Sequence, residues 1–353
     1  MIDGLAASLG LNVVDAAFWM PLLCLAIFFV ILLLGLLLDG FDLGAALLLP
    51  FAQKTERDRV LTMLSPWRDM NEFWLLFGAI LFLTAFPKAW ALIFSKLYLP
   101  LVFVAVGAIS RNVAFEFHLR APQAQRRYWL ILVYVGSLLR AFGQGWILGK
   151  MAVNFQGDVG NEFFALFIAA CTVAMFMLLG ATWLVMRSEG GLQQFARVTA
   201  RRCVRLSAAG LASLSVSLAF VNTGILYKWL STWNMDLVIL IWVLILSTFI
   251  LVEILLKYSA LNRLTAYMPF VLTAFVLSIV LLCLGFTYFP FFVYDDLTVW
   301  ESIDSLETLR LLLFVMLMLL PILLVCVFWI YRDMFGRERR ASDVAFTRAG
   351  GSH

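Results

Sequence analysis

Two aspartates interrupt the first long apolar segment of the sequence. Asp39 and Asp42 lie in the stretch 39–44, which also contains Gly40 and Gly44. Carboxylates at this spacing share one face of a helix. A charge inside a membrane costs about 2.5–3.5 kcal/mol on insertion scales, so it usually faces a partner, a water-filled path or a bundle interior. The pair therefore indicates an ion or proton path, and the alternative is that it caps or bends the helix beside the glycines.

A second acidic pair, Asp69 and Glu72, begins the next apolar segment within the stretch 65–74. Proline and acidic residues are typical of a first helical turn, so helix capping is the alternative for this pair. A short loop joins the first two segments, so all four acids are expected in the same membrane leaflet. Arg111 and Glu116 of the third segment are expected there too. Shielded carboxylates beside an arginine titrate together, which suits proton relay.

Three more polar residues lie within apolar segments. Arg140 and Gln144 fall near the middle of the fourth segment, and Arg140 requires a partner inside the chain or in another protein. The sequence does not identify that partner. Glu253 lies near the end of the seventh segment, where it either contacts another group or extends to the membrane surface.

The sequence contains few residues that could bind a metal and no motif for binding a nucleotide. The two histidines are His118, in a basic loop between apolar segments, and His353, the last residue. The five cysteines form no C-x-x-C pair and are predicted to be packing residues. No phosphate-binding loop or nucleophile motif is present. We therefore predict no metal site in this chain and no complete catalytic site.

Long apolar helices must position these groups. The 353 residues are 63% hydrophobic and 14% charged, with a mean hydropathy of +0.97, which argues against a soluble domain. Backbone groups in lipid must be satisfied within the segment, so the spans are helices. The sequence predicts an all-α integral membrane protein, one domain over 1–335 and a basic tail over 336–353. Nine transmembrane helices are predicted, at 17–49, 70–86, 89–116, 128–150, 163–187, 203–224, 236–257, 268–290 and 309–331.

Basic residues predict the orientation. The loops after odd-numbered spans, together with the tail, carry most of the Lys and Arg residues that lie at or beyond the span ends, and the opposite loops carry few. The positive-inside rule then places the N-terminus outside and the C-terminus in the cytoplasm. The net charge of +4 is weak evidence for nucleic-acid binding, and no nucleic-acid partner is expected.

Several motifs together resemble subunit II of cytochrome bd quinol oxidases. Their order and rough spacing match that family along nearly the whole chain. The stretches are 39–44, Ser65-Pro66-Trp67-x-Asp69-x-Asn71-Glu72-x-Trp74, Tyr98-Leu99-Pro100, Arg111-x-Val113-Ala114-Phe115-Glu116, Gly180-Ala181-Thr182-Trp183 and Leu297-Thr298-Val299-Trp300-Glu301.

The resemblance implies a subunit of a terminal oxidase that oxidises quinol and reduces O2 to water in the bacterial cytoplasmic (inner) membrane. Subunit II would ligate no haem. Subunit I would carry two b-type haems and one d-type haem. Nine helices would form two four-helix bundles and one peripheral helix. A small single-helix accessory subunit and a structural quinone are also known in the family.

Residue roles follow from the same resemblance. Asp42 and Asp69 would belong to the cytoplasmic proton path, with Asp39 beside them. Trp74 would stand near the lipid-side entrance of the oxygen channel. Arg111 and Glu116 would lie at the interface with subunit I. Arg68 and Met70 flank Asp69, where family members commonly have Trp or His before the aspartate and Gly after it.

Two other functions remain open at this stage. The same acids would serve a proton-coupled transporter, although no inverted repeat is evident in the sequence. A structural paralogue that assembles with another membrane partner is the third alternative.

Overall fold

The computed structural model describes residues 10–65, 68–221, 223–257, 263–293 and 296–350. Nearly all of this part of the chain is helical. The helices are α1 Ala16–Leu47, α2 Lys54–Leu64, α3 Arg68–Ala85, α4 Pro87–Arg120, α5 Gln123–Ala152, α6 Val159–Arg187, α7 Gly191–Val221, α8 Thr223–Leu230, α9 Thr232–Lys257, α10 Arg263–Tyr288 and α11 Leu306–Gly350. Two short antiparallel strands, β1 Phe291–Val293 and β2 Leu297–Thr298, precede α11.

Each of the nine predicted apolar segments coincides with a helix in the described chain. Seven of these helices, α1, α4, α5, α6, α9, α10 and α11, are long and apolar enough to span a membrane. The chain is therefore a multi-pass membrane protein. The other two predicted spans fall on α3, which has a shorter apolar part at Met70–Ala85, and on α7, whose first half is rich in arginine. The helix α11 continues without a break from the last predicted span into 336–350.

Glycines allow α1 and α6 to touch. A Cβ atom on Gly44 would lie 1.7 Å from the carbonyl oxygen of Phe176, and one on Gly180 would lie 2.1 Å from the amide nitrogen of Ala45. Neither distance is physically possible, so the two backbones meet only because both positions lack a side chain. Small residues at such crossings are the usual way in which membrane helices pack closely. This contact fixes the half of α1 that carries Asp39 and Asp42.

A second glycine crossing joins α4 to α5. A Cβ atom on Gly107 would lie 2.5 Å from the amide nitrogen of Arg140, and one on Gly136 would lie 2.7 Å from that of Arg111. The crossing therefore lies one helical turn from both arginines. It brings the two basic residues onto adjacent helix faces, directed toward α1 and α3.

Aromatic residues pack the chain at both ends of α1. Phe41 stacks on Trp183 of α6 with ring centroids 5.2 Å apart. Near the start of α1, Phe18 stacks on Trp300 with a centroid distance of 5.4 Å, and the Trp300 indole N–H donates to the Phe18 carbonyl at 3.0 Å. The segment between β2 and α11 is thereby attached to the beginning of α1.

Candidate functional site

Five ionisable side chains from four helices meet inside the protein. We call this group the charged cluster: Asp39 and Asp42 from α1, Glu72 from α3, Arg111 from α4 and Arg140 from α5. Two amide side chains, Asn112 and Gln144, hydrogen-bond to its carboxylates.

Asp39 is bound from α5. The guanidinium of Arg140 donates from Nε to Oδ2 of Asp39 at 2.9 Å, and the Gln144 amide donates to the same oxygen at 2.5 Å. Arg140 and Gln144 are four residues apart, so they lie on one face of α5. The other Asp39 oxygen, Oδ1, accepts no hydrogen bond from any described residue.

Glu72 joins the two arginines. Its Oε1 atom accepts a hydrogen bond from Nη1 of Arg140 and lies 3.5 Å from Nη1 of Arg111. Its Oε2 atom accepts a hydrogen bond from the Asn112 amide at 2.8 Å. Both carboxylate oxygens of Glu72 are therefore held by donors from α4 and α5.

Asp42 pairs with α4. Nη2 of Arg111 lies 2.6 Å from Oδ2 of Asp42, and both side chains are fully buried. The buried positions Arg111, Ala114, Phe115 and His118 follow the i, i+3, i+4, i+7 pattern of one helix face, which directs Arg111 inward.

The cluster is nearly closed to its surroundings. Asp39, Asp42 and Arg111 have no exposed surface, and Arg140 is 4% exposed. Glu72 keeps 21% of its side-chain surface exposed, which makes it the accessible member of the cluster. With all five groups ionised, three negative charges face two positive ones. This arrangement can exchange a proton and is poorly suited to electron transfer or nucleophilic chemistry.

Two of the expected site residues, Asp69 and Trp74, are not among the residues that define the charged cluster. The backbone of Asp69 lies in the first turn of α3, whereas its side chain lies outside the described part. Trp74 is 1% exposed and packs against Ile31, Leu81 and Met316, and its indole N–H has no partner among the described residues. It is therefore enclosed by α1, α3 and α11 rather than open to the surface of this chain.

Arg111 and Glu116, the two residues expected at a subunit interface, differ in burial. Arg111 has no exposed surface in this chain, where it contacts Asp42 and Glu72. Glu116 lies on the outer face of α4, is exposed, and pairs with Arg120 one turn further along. Arg68 lies over the ring of Phe115, 5.1 Å from its centroid.

His118 does not fit a metal or haem ligand. It is a buried side chain in the last turn of α4, with Nε2 2.9 Å from Oδ1 of Asp58 and Nδ1 3.1 Å from the carbonyl oxygen of Arg126. Both ring nitrogens already have oxygen partners, so neither is free for an axial bond. No group of His, Cys, Asp and Glu in the described ranges has the arrangement of a metal site.

Sequence reasoning identified the acids and left the basic side of the cluster incomplete. Arg140 and Gln144 had no nameable partner, because their contacts with Asp39 join helices that are far apart in sequence. Asn112 was not singled out. Its signal was its position next to Arg111, where a polar amide in an apolar helix requires a hydrogen-bond partner.

The fold and the cluster together define a multi-pass membrane protein with a buried acid–base network. The sequence matches the family described as cytochrome bd terminal oxidase subunit II over residues 20–334, and the chain belongs to that family. It is a subunit of a terminal oxidase, an oxidoreductase complex that contains haem and a partner subunit I.

Individual relatives and one solved structure agree with this assignment. The chain is 26% identical to cytochrome bd-I ubiquinol oxidase subunit 2 of Escherichia coli (strain K12), covering 87% of this chain and 93% of that one. It is 24% identical to the probable cytochrome oxidase subunit 2 of Haemophilus influenzae, covering 87% and 92%. The bd oxidase structure from Geobacillus thermodenitrificans matches in fold with a TM-score of 0.72 and 18% identity, covering 89% of this chain and 98% of that chain.

Proposed function

We propose that this chain is the haem-free subunit of a quinol oxidase, where it supports the haem-bearing subunit I and carries protons from the cytoplasm toward the site of O2 reduction. The charged cluster is the observation that carries this proposal. A buried group of three carboxylates and two arginines is costly in a membrane. It is retained where it serves a polar path, and reduction of O2 to water consumes protons.

The proposed path begins at the cytoplasmic end of α3. Asp69 lies one turn before Glu72 on this helix, and Glu72 is the cluster member with exposed surface. From Glu72 the path continues to Asp39 and Asp42, which share a face of α1. The arginines keep the carboxylates in place and cannot themselves be deprotonated.

The proposed topology has nine crossings, with the N-terminus outside and the C-terminus in the cytoplasm. It adds α3 and α7 to the seven helices that meet the length and hydropathy requirement. The helices would form two four-helix bundles and one peripheral helix. The low burial of α11 supports its peripheral place, because 11% of its apolar window is buried, against 56% for α5.

The exposed surface of α4 indicates where this chain would contact the rest of the complex. The outer face of α4, where Glu116 lies, is our candidate for the surface that meets subunit I. Trp74 packs in an apolar region between α1, α3 and α11, and we place the lipid-side entrance of the oxygen channel near it. The two b-type haems and the d-type haem belong to subunit I. The proposed location is a bacterial inner membrane.

The test is Asp42→Asn in the purified complex. Asparagine keeps the shape of Asp42 and cannot carry a proton. We expect turnover with quinol to fall at least tenfold, proton uptake in proteoliposomes to slow equally, and the haem spectrum to stay the same. Asp304→Asn, an exposed acid far along the sequence, is the matched control. Unchanged turnover in Asp42→Asn with normal assembly would refute the proton path.

A further inference from the structure

Gln144 is a buried amide that binds one acid of the charged cluster. Its Nε2 group donates to Oδ2 of Asp39 at 2.5 Å. Arg140, the second donor to this oxygen, also binds Glu72 and is therefore shared between two acids. Gln144 is uncharged, so a neutral substitution there alters the setting of Asp39 without changing any charge in the cluster.

The other end of the Gln144 amide contacts no donor. Its Oε1 atom is buried and has no hydrogen-bond partner among the described residues, and the residue as a whole is 6% exposed. A buried polar atom without a partner costs about 1–3 kcal/mol, which an apolar side chain of similar size would avoid. The gain that offsets this cost is the hydrogen bond from the N–H group to Asp39.

The backbone around Gln144 is held against two neighbouring helices. A Cβ atom on Gly143 would lie 2.9 Å from the carbonyl oxygen of Pro100 in α4, and one on Gly145 would lie 2.8 Å from the Cα atom of Ala169 in α6. Helices approach this closely where side chains are absent. Because α6 in turn touches α1, this turn of α5 has little freedom to move relative to Asp39.

The two oxygens of Asp39 therefore differ. Oδ2 is bound by Arg140 and Gln144, whereas Oδ1 has no partner among the described residues. We propose that Gln144 is a positioning residue for proton transfer, which holds Oδ2 of Asp39 so that protons arrive and leave at Oδ1. An amide N–H can donate to an ionised carboxylate and to the carbonyl oxygen of a protonated one, so this role holds in both states of Asp39.

Each transfer returns Asp39 to its starting state. An O–H bond forms at Oδ1 as a water molecule or acid on the path gives up its proton, and the bond breaks when the proton passes to the next acceptor. Gln144 neither gains nor loses a proton. The inference rests on the proposed proton path, because the path supplies the donor and the acceptor.

The test is the turnover of Gln144→Met in the purified complex. Methionine has nearly the same length as glutamine and no N–H donor. We expect turnover to fall about tenfold, because transfer depends steeply on the position of the reacting atoms, while the KM for quinol and the haem spectrum stay the same. The solvent isotope effect on turnover should rise, because slowed proton transfer then limits the rate. A change in packing alone would not raise it.

Two further variants complete this comparison. Gln144→Asn draws the amide back by one methylene group and should reproduce the loss, and it decides alone if Gln144→Met fails to assemble. Ser137→Ala is the matched control, since Ser137 is buried on the same face of α5 and its hydroxyl donates to the Val133 carbonyl oxygen at 2.7 Å. It should leave turnover and the isotope effect unchanged.

A double variant shows whether Gln144 acts through Asp39. Residues that act through one another give losses that do not add. The turnover of Asp39→Asn/Gln144→Met should therefore equal that of Asp39→Asn alone. Losses that multiply, or an unchanged isotope effect in Gln144→Met, would overturn the inference and leave the amide a packing role. A slow Gln144→Met beside a normal Asp39→Asn would overturn it as well.

The failure of the inference differs from the failure of the proposed path. Normal turnover in Gln144→Met beside a slow Asp42→Asn would overturn the inference and leave the path standing. Normal turnover in both Asp39→Asn and Asp42→Asn would remove the path, and the role of Gln144 with it.

Discussion

Arg140 and Asp39 are 101 residues apart in sequence, yet Nε of the arginine lies 2.9 Å from Oδ2 of the aspartate. This contact depends on the glycine crossing between α4 and α5, where Gly107 and Gly136 let the two backbones meet. The crossing positions Arg111 and Arg140 side by side, and each then reaches an aspartate of α1. The cluster is therefore a consequence of helix packing as much as of its charged residues.

Arg111→Ala should destabilise the chain itself. The substitution leaves Asp42 buried beside Asp39 without its basic partner, and breaking a buried pair in this way costs about 3–5 kcal/mol. We expect much less assembled complex on a native gel and a lower melting temperature for the remainder. Arg120→Ala is the matched control on the same helix, because its exposed pair with Glu116 is worth about 0–1 kcal/mol. Equal yields for the two variants would contradict a structural role for Arg111.

The helices and the acids of the charged cluster could be predicted from the sequence. Apolar runs and the requirement that backbone groups be satisfied in lipid predicted every long helix, because both are local properties. The acids at 39, 42 and 72 were recognisable for the same reason: a carboxylate in an apolar run is conspicuous. Arg111 was expected both beside the acids and at a subunit interface, because either setting requires the same residue type.

The contacts of Arg140 could not be obtained from local sequence. They depend on the crossing of α4 and α5 and on the depth at which α1 passes α5, which are set by glycines distant in sequence. Nor do helix lengths alone determine how many segments cross the membrane. The helix α3 carries Glu72 and is apolar over Met70–Ala85, shorter than the helices that meet the length requirement.

Gly44→Ala should separate α1 from α6. The new methyl group would lie 1.7 Å from the Phe176 carbonyl oxygen, so the helices must move apart and their packing is lost. We expect a melting temperature several degrees lower in detergent and reduced turnover, because the acids of α1 shift with the helix. Gly191→Ala is the control, since a Cβ there meets nothing within 4 Å. If both alanine variants melt like the wild type, the close approach of α1 and α6 is not needed for stability.

Lys228→Met should loosen the end of α10. The ammonium group of Lys228 donates to the carbonyl oxygens of Phe286, Thr287 and Phe289 at 2.7, 3.0 and 2.7 Å, which satisfies groups that a helix end leaves open. Losing these charged hydrogen bonds should cost about 1–3 kcal/mol locally. Hydrogen exchange of the peptide around 284–290 should quicken in this variant and stay unchanged in Lys88→Met, where the lysine is exposed. Identical exchange in the two variants would show that Lys228 does not hold the helix end.

Thr298→Ala should change the pH at which the segment between β2 and α11 opens. Thr298 donates from its hydroxyl and its backbone N–H to Oε2 of Glu301, at 2.7 and 2.9 Å, and these bonds lower the pKa of Glu301 below its usual value. A carboxyl with a lowered pKa stabilises the folded segment above its ordinary pKa, and this contribution disappears as the pH falls through the lowered value.

Without the Thr298 hydroxyl, the pKa of Glu301 rises toward its ordinary value, so protection is lost at a higher pH than in the wild type. Hydrogen exchange of 296–305, corrected for the intrinsic effect of pH, measures this shift. Glu301→Gln should remove the pH dependence altogether, and Asp304→Asn should keep the wild-type curve because that acid makes no contact with Thr298. Superimposable curves for Thr298→Ala and the wild type would mean that Trp300, anchored on the Phe18 carbonyl, holds the segment without help from Glu301.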